Sequence, residues 1–441
     1  MIGNSVVKIR SGPLSLPVAL IISLLVFGLL ATSGAAYAAG LNGESNTYVQ
    51  SRERADGSKL LPVYEYLNFT AQGNDDDDVT MHFGGWLRYD QKAENNEDKT
   101  ANDLQYAYVN VKDRESRMSM KFGRVMVFEG VAAERIDGAY ARFAAGKGVS
   151  VSAFGGSAAV TNEGNGTNTI FGGRIAHQIE GVYSVGFSYL KQNSYPGSST
   201  DINPSREEEG IDIWVRPMNK VELLGKSSYN AITNGWMQHN YYLVLGPFDK
   251  VRFNTEVSKY SYADYFASAT SSVFRFQVGG VIDPRETVSI FGEEVVYSLS
   301  ENLNLSVDYK NNTYDTKWSA RSYGAKAAYS SAKTWGCGAA YHVMSGDTDR
   351  LSYKEYRVYA FRKIGHVDVA ADLFDVKYDT PINDVSNSYA ASIAAGYELS
   401  ERLKVGADAE YSKNPDFDKD VRLFLKLNYR FDAELGKRKG V

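Results

Sequence analysis

An all-β fold, a closed antiparallel transmembrane barrel of roughly 18–22 strands, is predicted by three features of the sequence. From about residue 81 to 431 the chain repeats one unit: roughly 8 to 11 residues of alternating character, then a turn or polar loop. Tyrosine is abundant, with 31 residues, and gathers near strand ends. The repeat finishes on an alternating strand that closes on Phe431.

The elements follow in order from the N-terminus. Lys8 and Arg10 precede an apolar run from Leu14 to Leu30, and Ala36-Tyr37-Ala38 is a small-x-small cleavage site. This is the pattern of an export leader. Cleavage after Ala38 is expected, which makes 1–38 a signal peptide and 39–61 a short periplasmic segment. The barrel is expected over 62–431, with 432–441 as a tail. After Leu30 the sequence holds no further long apolar run. A spanning structure then has to satisfy its backbone between strands, and only a closed ring does that in lipid.

The strands themselves carry the argument. In Val251 to Ser258, Val251, Phe253, Thr255 and Val257 alternate with Arg252, Asn254, Glu256 and Ser258. In Leu303 to Lys310, Leu303, Leu305, Val307 and Tyr309 alternate with Asn304, Ser306, Asp308 and Lys310. The same split recurs at Val367 to Leu373 and at Leu403 to Glu410. A period of two puts the dry and the charged sets on opposite faces. Tyr89, Tyr189, Tyr309, Tyr397, Tyr411 and Tyr429 sit where amphipathic rings form interfacial girdles. Prolines after the leader, such as Pro62, Pro217, Pro247 and Pro381, fall between strands or at their edges, as ladder hydrogen bonding requires.

Turns give sidedness. Tyr297 to Leu303 and Tyr397 to Leu403 echo one another, and both read as strand, tight turn, strand. Glu301 and Glu401 then lie in short periplasmic turns. The stretches 311–318, 345–352, 378–387 and 413–419 are expected to be longer external loops. Lys259 to Ser271 and Asp283 to Glu286 take no definite side, because Thr287 to Leu299 reads equally as one strand or two. Asp75 to Asp78 reads as a solvated turn.

Composition excludes several functions. The net charge of −5 becomes more acidic once Lys8 and Arg10 are removed, so there is no basic face for nucleic acid. Cys337 is the single cysteine, which rules out an internal disulfide framework and a covalently held c-type haem. It shares a strand face with Trp335, Ala339 and Tyr341 that is expected to touch lipid. His82, His177, His239, His342 and His366 are scattered, with no nucleophile or metal-ligand spacing, so neither a catalytic centre nor a cofactor is expected.

A barrel of this girth is too wide to be filled by side chains. The expected pore-lining residues are Arg252, Glu256, Arg275, Asp308, Lys404, Asp408, Arg422 and Lys426, with Lys310, Asp368, Asp372 and Glu410 on the same faces. Both signs of charge occur in this set, which suits passage of small hydrophilic solutes or ions.

Three resemblances follow from particular residues. Arg422-Leu-Phe-Leu-Lys-Leu-Asn-Tyr-Arg-Phe431 resembles the closing strand of outer-membrane barrels, which implies recognition by the barrel-assembly machinery and contact with outer-membrane lipid. The family usually ends on the aromatic itself, whereas ten residues follow Phe431 here. The segment Phe122 to Gly130, continuing to Arg142, resembles the strand-loop-strand of porins whose loop folds into the lumen. That resemblance makes Arg124, Arg135 and Arg142 wall or loop cations, with Glu129, Glu134 and Asp137 their acidic counterparts across a constriction. The chain also resembles, more narrowly, the barrels of porin-cytochrome conduits, which implies a multihaem cytochrome as a partner. Some of those barrels carry a Cys-x-x-Cys near their start, and this chain does not. An oligomer of barrels is compatible with all three.

Overall fold

The computed structural model describes residues 40–53, 58–73, 78–92, 99–113, 115, 117–159, 169–193, 205–265, 286–315, 319–331 and 334–434. The expected leader, 1–38, lies outside them. The described chain is a succession of antiparallel strands, each paired with the next in sequence, from β1 (Gly40–Glu53) to β23 (Phe417–Glu434). β2 (Lys59–Leu60) carries the ladder with β1 one step beyond β3 (Pro62–Gln72), so the wall has 22 strands.

The ring closes where β1 pairs with β23, from Gly40↔Glu434 to Ser51↔Leu423. Every neighbouring pair is antiparallel, so closure demands an even strand number, and 22 meets it. With about 4.8 Å between strands tilted by roughly 40°, such a ring is roughly 40 Å across between backbones.

The domain boundaries expected from sequence are corrected at both ends. Residues 40–53, read as part of a periplasmic segment, form the strand that seals the barrel. At the other end β23 runs past Phe431 to Glu434. The physical reason is that β1 presents Gly43, Ser45, Thr47 and Val49 on its outer face, a pattern with too little apolar contrast to announce a strand.

Two edges distinguish the barrel. One carries both the start of β1 and the end of β23, together with tight turns such as 147–148, 219–220, 249–250, 365–366 and 401–402. At the opposite edge Gln192 ends one strand and Arg206 starts the next, and Ser261 and Thr287 stand there likewise. Glu301 and Glu401 sit on the first edge, as expected of periplasmic turns. The stretches expected as loops at 378–387 and 413–419 are instead strand for most of their length. They close in two-residue turns at 383–384 and 415–416, because β20 (Val367–Ile382), β21 (Val385–Ser400), β22 (Leu403–Asn414) and β23 run on as strand almost to the turns. Thr287–Ser298 is one strand, β15.

Outer and inner faces alternate as the sequence predicts. Val257, Leu305, Val307, Val358, Leu373, Ile393, Leu423 and Leu425 are exposed large apolar side chains. In water such a band would be untenable, whereas lipid matches it. Trp335 and Tyr341, and so Cys337 between them, share this outer face.

Candidate functional site

A cluster of buried apolar side chains lies on the inner wall. Val125, Val127, Ala132, Ile136, Tyr140, Phe154, Ile170 and Leu190 form a single cluster, with Val125 and Ile136 fully covered. Its origin is the hairpin of β6 (Met118–Glu129) and β7 (Ala132–Gly146). β6 pairs with β5 (Thr100–Lys112) only from Lys112↔Ser119 to Ala107↔Arg124. β7 pairs with β8 (Val149–Ala158) only from Gly146↔Val149 up to Ile136↔Ala158. Residues 125–134 therefore have strand partners only within the hairpin and leave the wall, and Arg135 keeps a last bond to it through the Ala159 amide at 2.8 Å.

Glycines permit the bend. Gly123, Gly138 and Gly156 lie directly opposite one another on β6, β7 and β8. A Cβ on Gly138 would meet the Gly155 backbone, and one on Gly156 would meet that of Asp137. Gly123 has φ +125°, in the region that favours glycine. A row of residues without side chains lets three strands fold sharply, which is how curvature enters a sheet.

The tip then crosses in front of β8 and β9 (Thr169–Ile179) and lands on β10 (Tyr183–Gln192) and β11 (Arg206–Met218). The Val131 amide donates to Ser188 Oγ at 3.0 Å, and a Cβ on Gly210 would meet Val131 Cγ1. Ser188 and Gly210 face inward, since Phe187 and Ile211 beside them are exposed on the outer face. The hairpin thus lies inside the barrel, against its inner wall.

Its two faces differ. The wall side carries Val125, Val127, Ala132, Glu129, Glu134 and Ile136. Glu129 is buried and accepts from Tyr140 OH at 2.5 Å. Glu134 pairs with Arg206 at 2.5 Å, and Arg206 also pairs with Glu208 at 2.6 Å, with Glu208 buried. The luminal side carries Met126, Phe128, Ala133 and Arg135, and Phe128 is 71% exposed. There Arg135 pairs with Asp103 of β5 at 2.5 Å, and Arg124 grips Asp137 through two hydrogen bonds of 2.6 and 2.7 Å.

The inward fold expected for this segment is present, but its charges are arranged differently from the expectation. Arg124, Arg135, Glu129 and Glu134 do not oppose one another across open water. Arg124 and Arg135 hold neighbouring aspartates, while Glu129 and Glu134 are covered between hairpin and wall, where burial demands a partner. The expectation failed because Arg206 and Glu208 stand far along the chain. Only the run of charge Arg206-Glu-Glu-Glu209 at the start of β11 hinted at them.

The remaining wall is a lattice of ion pairs. Glu256 pairs with Lys310 at 2.8 Å, Asp408 with Lys426 at 2.5 Å, and Lys404 with Glu398 at 2.5 Å. Arg422 reaches Asp420 at 2.7 Å and Glu410 at 3.8 Å. His342 lies between Asp308 and Glu355, at 3.3 and 3.6 Å. Arg252 is exposed on the same inner face as Glu256. Arg275 lies outside the described residues. Sequence reasoning overlooked Arg357, which pairs with Asp372 at 2.5 Å on β19 (Tyr353–Ile364) and β20. A cavity of about 600 Å³ opens on this wall beside His342, Arg357 and Asp372. Among the described residues no three His, Cys, Asp or Glu side chains are grouped to hold a metal.

No protein-family model and no curated protein matches the chain. Solved structures do. A variant of the ferric enterobactin receptor PfeA from Pseudomonas aeruginosa superposes with a TM-score of 0.55 at 10% identity, covering 88% of this chain and 80% of that one. The siderophore receptor PirA, also from Pseudomonas aeruginosa, gives 0.53 at 11% identity, over 88% and 80%. The translocation pore of the P pilus usher PapC is similar at 7% identity with a TM-score of 0.48, over 89% of this chain and 99% of that one. Ring, apolar outer band and the likenesses to PfeA and PirA define the class: an outer-membrane β-barrel. Its compartment is the bacterial outer membrane.

Proposed function

We propose that the barrel is a passive, porin-like channel for small hydrophilic solutes or ions, and not an enzyme. The observation that carries this reading is the hairpin docked inside a wall of ion pairs. A ring of 22 strands is roughly 40 Å wide, and an inward element fixed to one side narrows it without filling it. Rows of both signs along the rest of the wall keep the lumen wet and favour no strong field of one sign. Purified protein in planar bilayers is expected to give steady open-channel conductance. A folded barrel that never conducts refutes the reading.

The girth favours a second reading. Barrels of 16–18 strands already leave an aqueous channel, and one of 22 has space for a protein in its lumen. In that reading the barrel sheathes a partner such as a multihaem cytochrome. Native membranes would then yield the barrel together with a haem protein, and isolation of the barrel alone in homogeneous form argues against it.

A further inference from the structure

On the inner face of the seam, aromatic rings replace ion pairs. Phe424 of β23, Tyr48 of β1, Tyr66 and Tyr64 of β3 and Trp86 of β4 (Val79–Asp90) alternate with outward residues such as Leu425 and Leu87. Phe424 and Tyr48 stack at 5.3 Å with 14° between planes, and Tyr48 meets Tyr66 edge-on at 5.5 Å. Tyr66 lies 6.2 Å from Tyr64 and 6.3 Å from Trp86. All five are only partly buried. The hairpin leaves this sector uncovered, because it leans the other way, onto β10 and β11.

Beside the rings runs a row of amides and a carboxylate at the alternate inward positions of the same strands. Asn428 donates to Asn46 at 2.5 Å, and Asn68 donates to Glu44 at 3.1 Å. Lys426 is held by Asp408 and lies 5.2 Å over the Phe424 ring, while Arg88 stands opposite Tyr64 and Arg430 opposite Glu44 at inward positions of the same strands. The patch is therefore an apolar platform edged by hydrogen-bonding groups, with both acidic and basic side chains at its margin.

We propose that this platform binds the sugar rings of a neutral saccharide chain. The proposal rests on reading the lumen as water-filled. A pyranose presents an apolar face of C–H groups and an edge of hydroxyls, so its face covers the rings while its edge meets Asn46, Asn68 and Glu44. A flat aromatic solute would cover the rings equally well but would leave the amide edge unanswered. A lipid chain would bury neither set of polar groups. Several rings set side by side, each about a ring's width from the next, suit a chain of sugar units better than a single one.

The test uses full-length protein in detergent and follows tryptophan fluorescence during titration with maltohexaose and cellohexaose. Saturable change is expected with at least one hexasaccharide. Replacing Trp86 with Phe removes most of the signal, and Tyr66→Ala weakens binding about tenfold, the usual order for loss of one stacking ring. Tyr64→Leu acts on the same platform if Tyr66→Ala does not fold, with heat-modifiable migration reporting folding. The proposal is overturned if neither sugar binds, or if binding is indifferent to both substitutions. It is also overturned if 4-nitrophenol binds saturably through Tyr66 while the hexasaccharides do not. Fluorescence does not require conduction, so sugar binding by a silent barrel refutes the channel alone, and a conducting barrel blind to sugar refutes this site alone.

Discussion

Replacing Arg206 with Met removes the cation shared by Glu134 and Glu208 while keeping most of the unbranched apolar stem. The arginine and the two carboxylates have side chains only 13%, 20% and 6% exposed, so the loss leaves both acids buried without their counter-charge. Stripping one partner from a buried ion pair costs about 3–5 kcal/mol. At about 1.36 kcal/mol per decade, the population of hairpins lifted off the wall rises roughly a hundred- to a few thousandfold. Docking still prevails, because Val125, Val127 and Ile136 each lose about 1.5–3 kcal/mol if fully uncovered. Glu134→Gln keeps the Arg206–Glu208 pair and removes one charged hydrogen bond, so it costs about 1.5–3 kcal/mol. The triple variant with Met at 134, 206 and 208 removes every charge and is expected to return close to the native level. Amide hydrogen exchange over residues 125–135 measures the lifted population directly. The expected order of exchange, fastest first, is Arg206→Met, Glu134→Gln, then the triple variant beside the native protein. If the triple variant exchanges as fast as Arg206→Met, or if Arg206→Met exchanges like the native protein, the ion-pair latch is refuted.

Four further outcomes are expected. Asp372→Asn leaves the half-exposed Arg357 in the lumen without its counter-charge, so the reversal potential in a KCl gradient shifts toward anions; an unchanged potential shows that this pair lies off the conduction path. Leu425→Arg puts a cation on the lipid-facing side, where Leu425 is 55% exposed, and lowers stability by about 2–4 kcal/mol in urea unfolding from vesicles. Gly156→Val forces a branched side chain against the Asp137 backbone, which removes the bend and reduces the fraction of heat-modifiable folded barrel in outer membranes. Cys337, on the outer face, reacts with a lipid-soluble maleimide and resists a membrane-impermeant one added to vesicles.

Much of this was legible in the sequence, and for one reason: lipid outside and water inside impose a period of two on most of the wall strands. The sidedness of Glu256, Asp308, Lys404, Asp408, Arg422 and Lys426 follows from that period alone, and the tight turns at Glu301 and Glu401 follow from the echoing heptads. β1 was invisible because Gly43, Ser45 and Thr47 give its outer face no apolar contrast. The hairpin was partly legible. Its glycines and alternating charges stand out, yet the sequence does not say which side of a bent hairpin meets the wall. Glu134 and Arg206 are 72 positions apart, so their pairing depends on how far the tip reaches across β8 and β9. The aromatic platform escaped notice for a related reason. Its rings come from β23, β1, β3 and β4, and the first of these meets the second only when the ring closes.

The seam between β1 and β23 also fixes an assembly order. One edge of β1 stays unpaired until the last strand is in place, because Gly40 finds its partner there only at Glu434. Until then β1 presents an open edge of backbone groups that must be sheltered by something other than the protein's own sheet. Both ends of the ladder also emerge at the same rim, so a tag fused beyond Glu434 and one placed before Gly40 would report from the same compartment. A tag meant for the opposite compartment would have to be inserted in a turn of the other rim, such as 383–384.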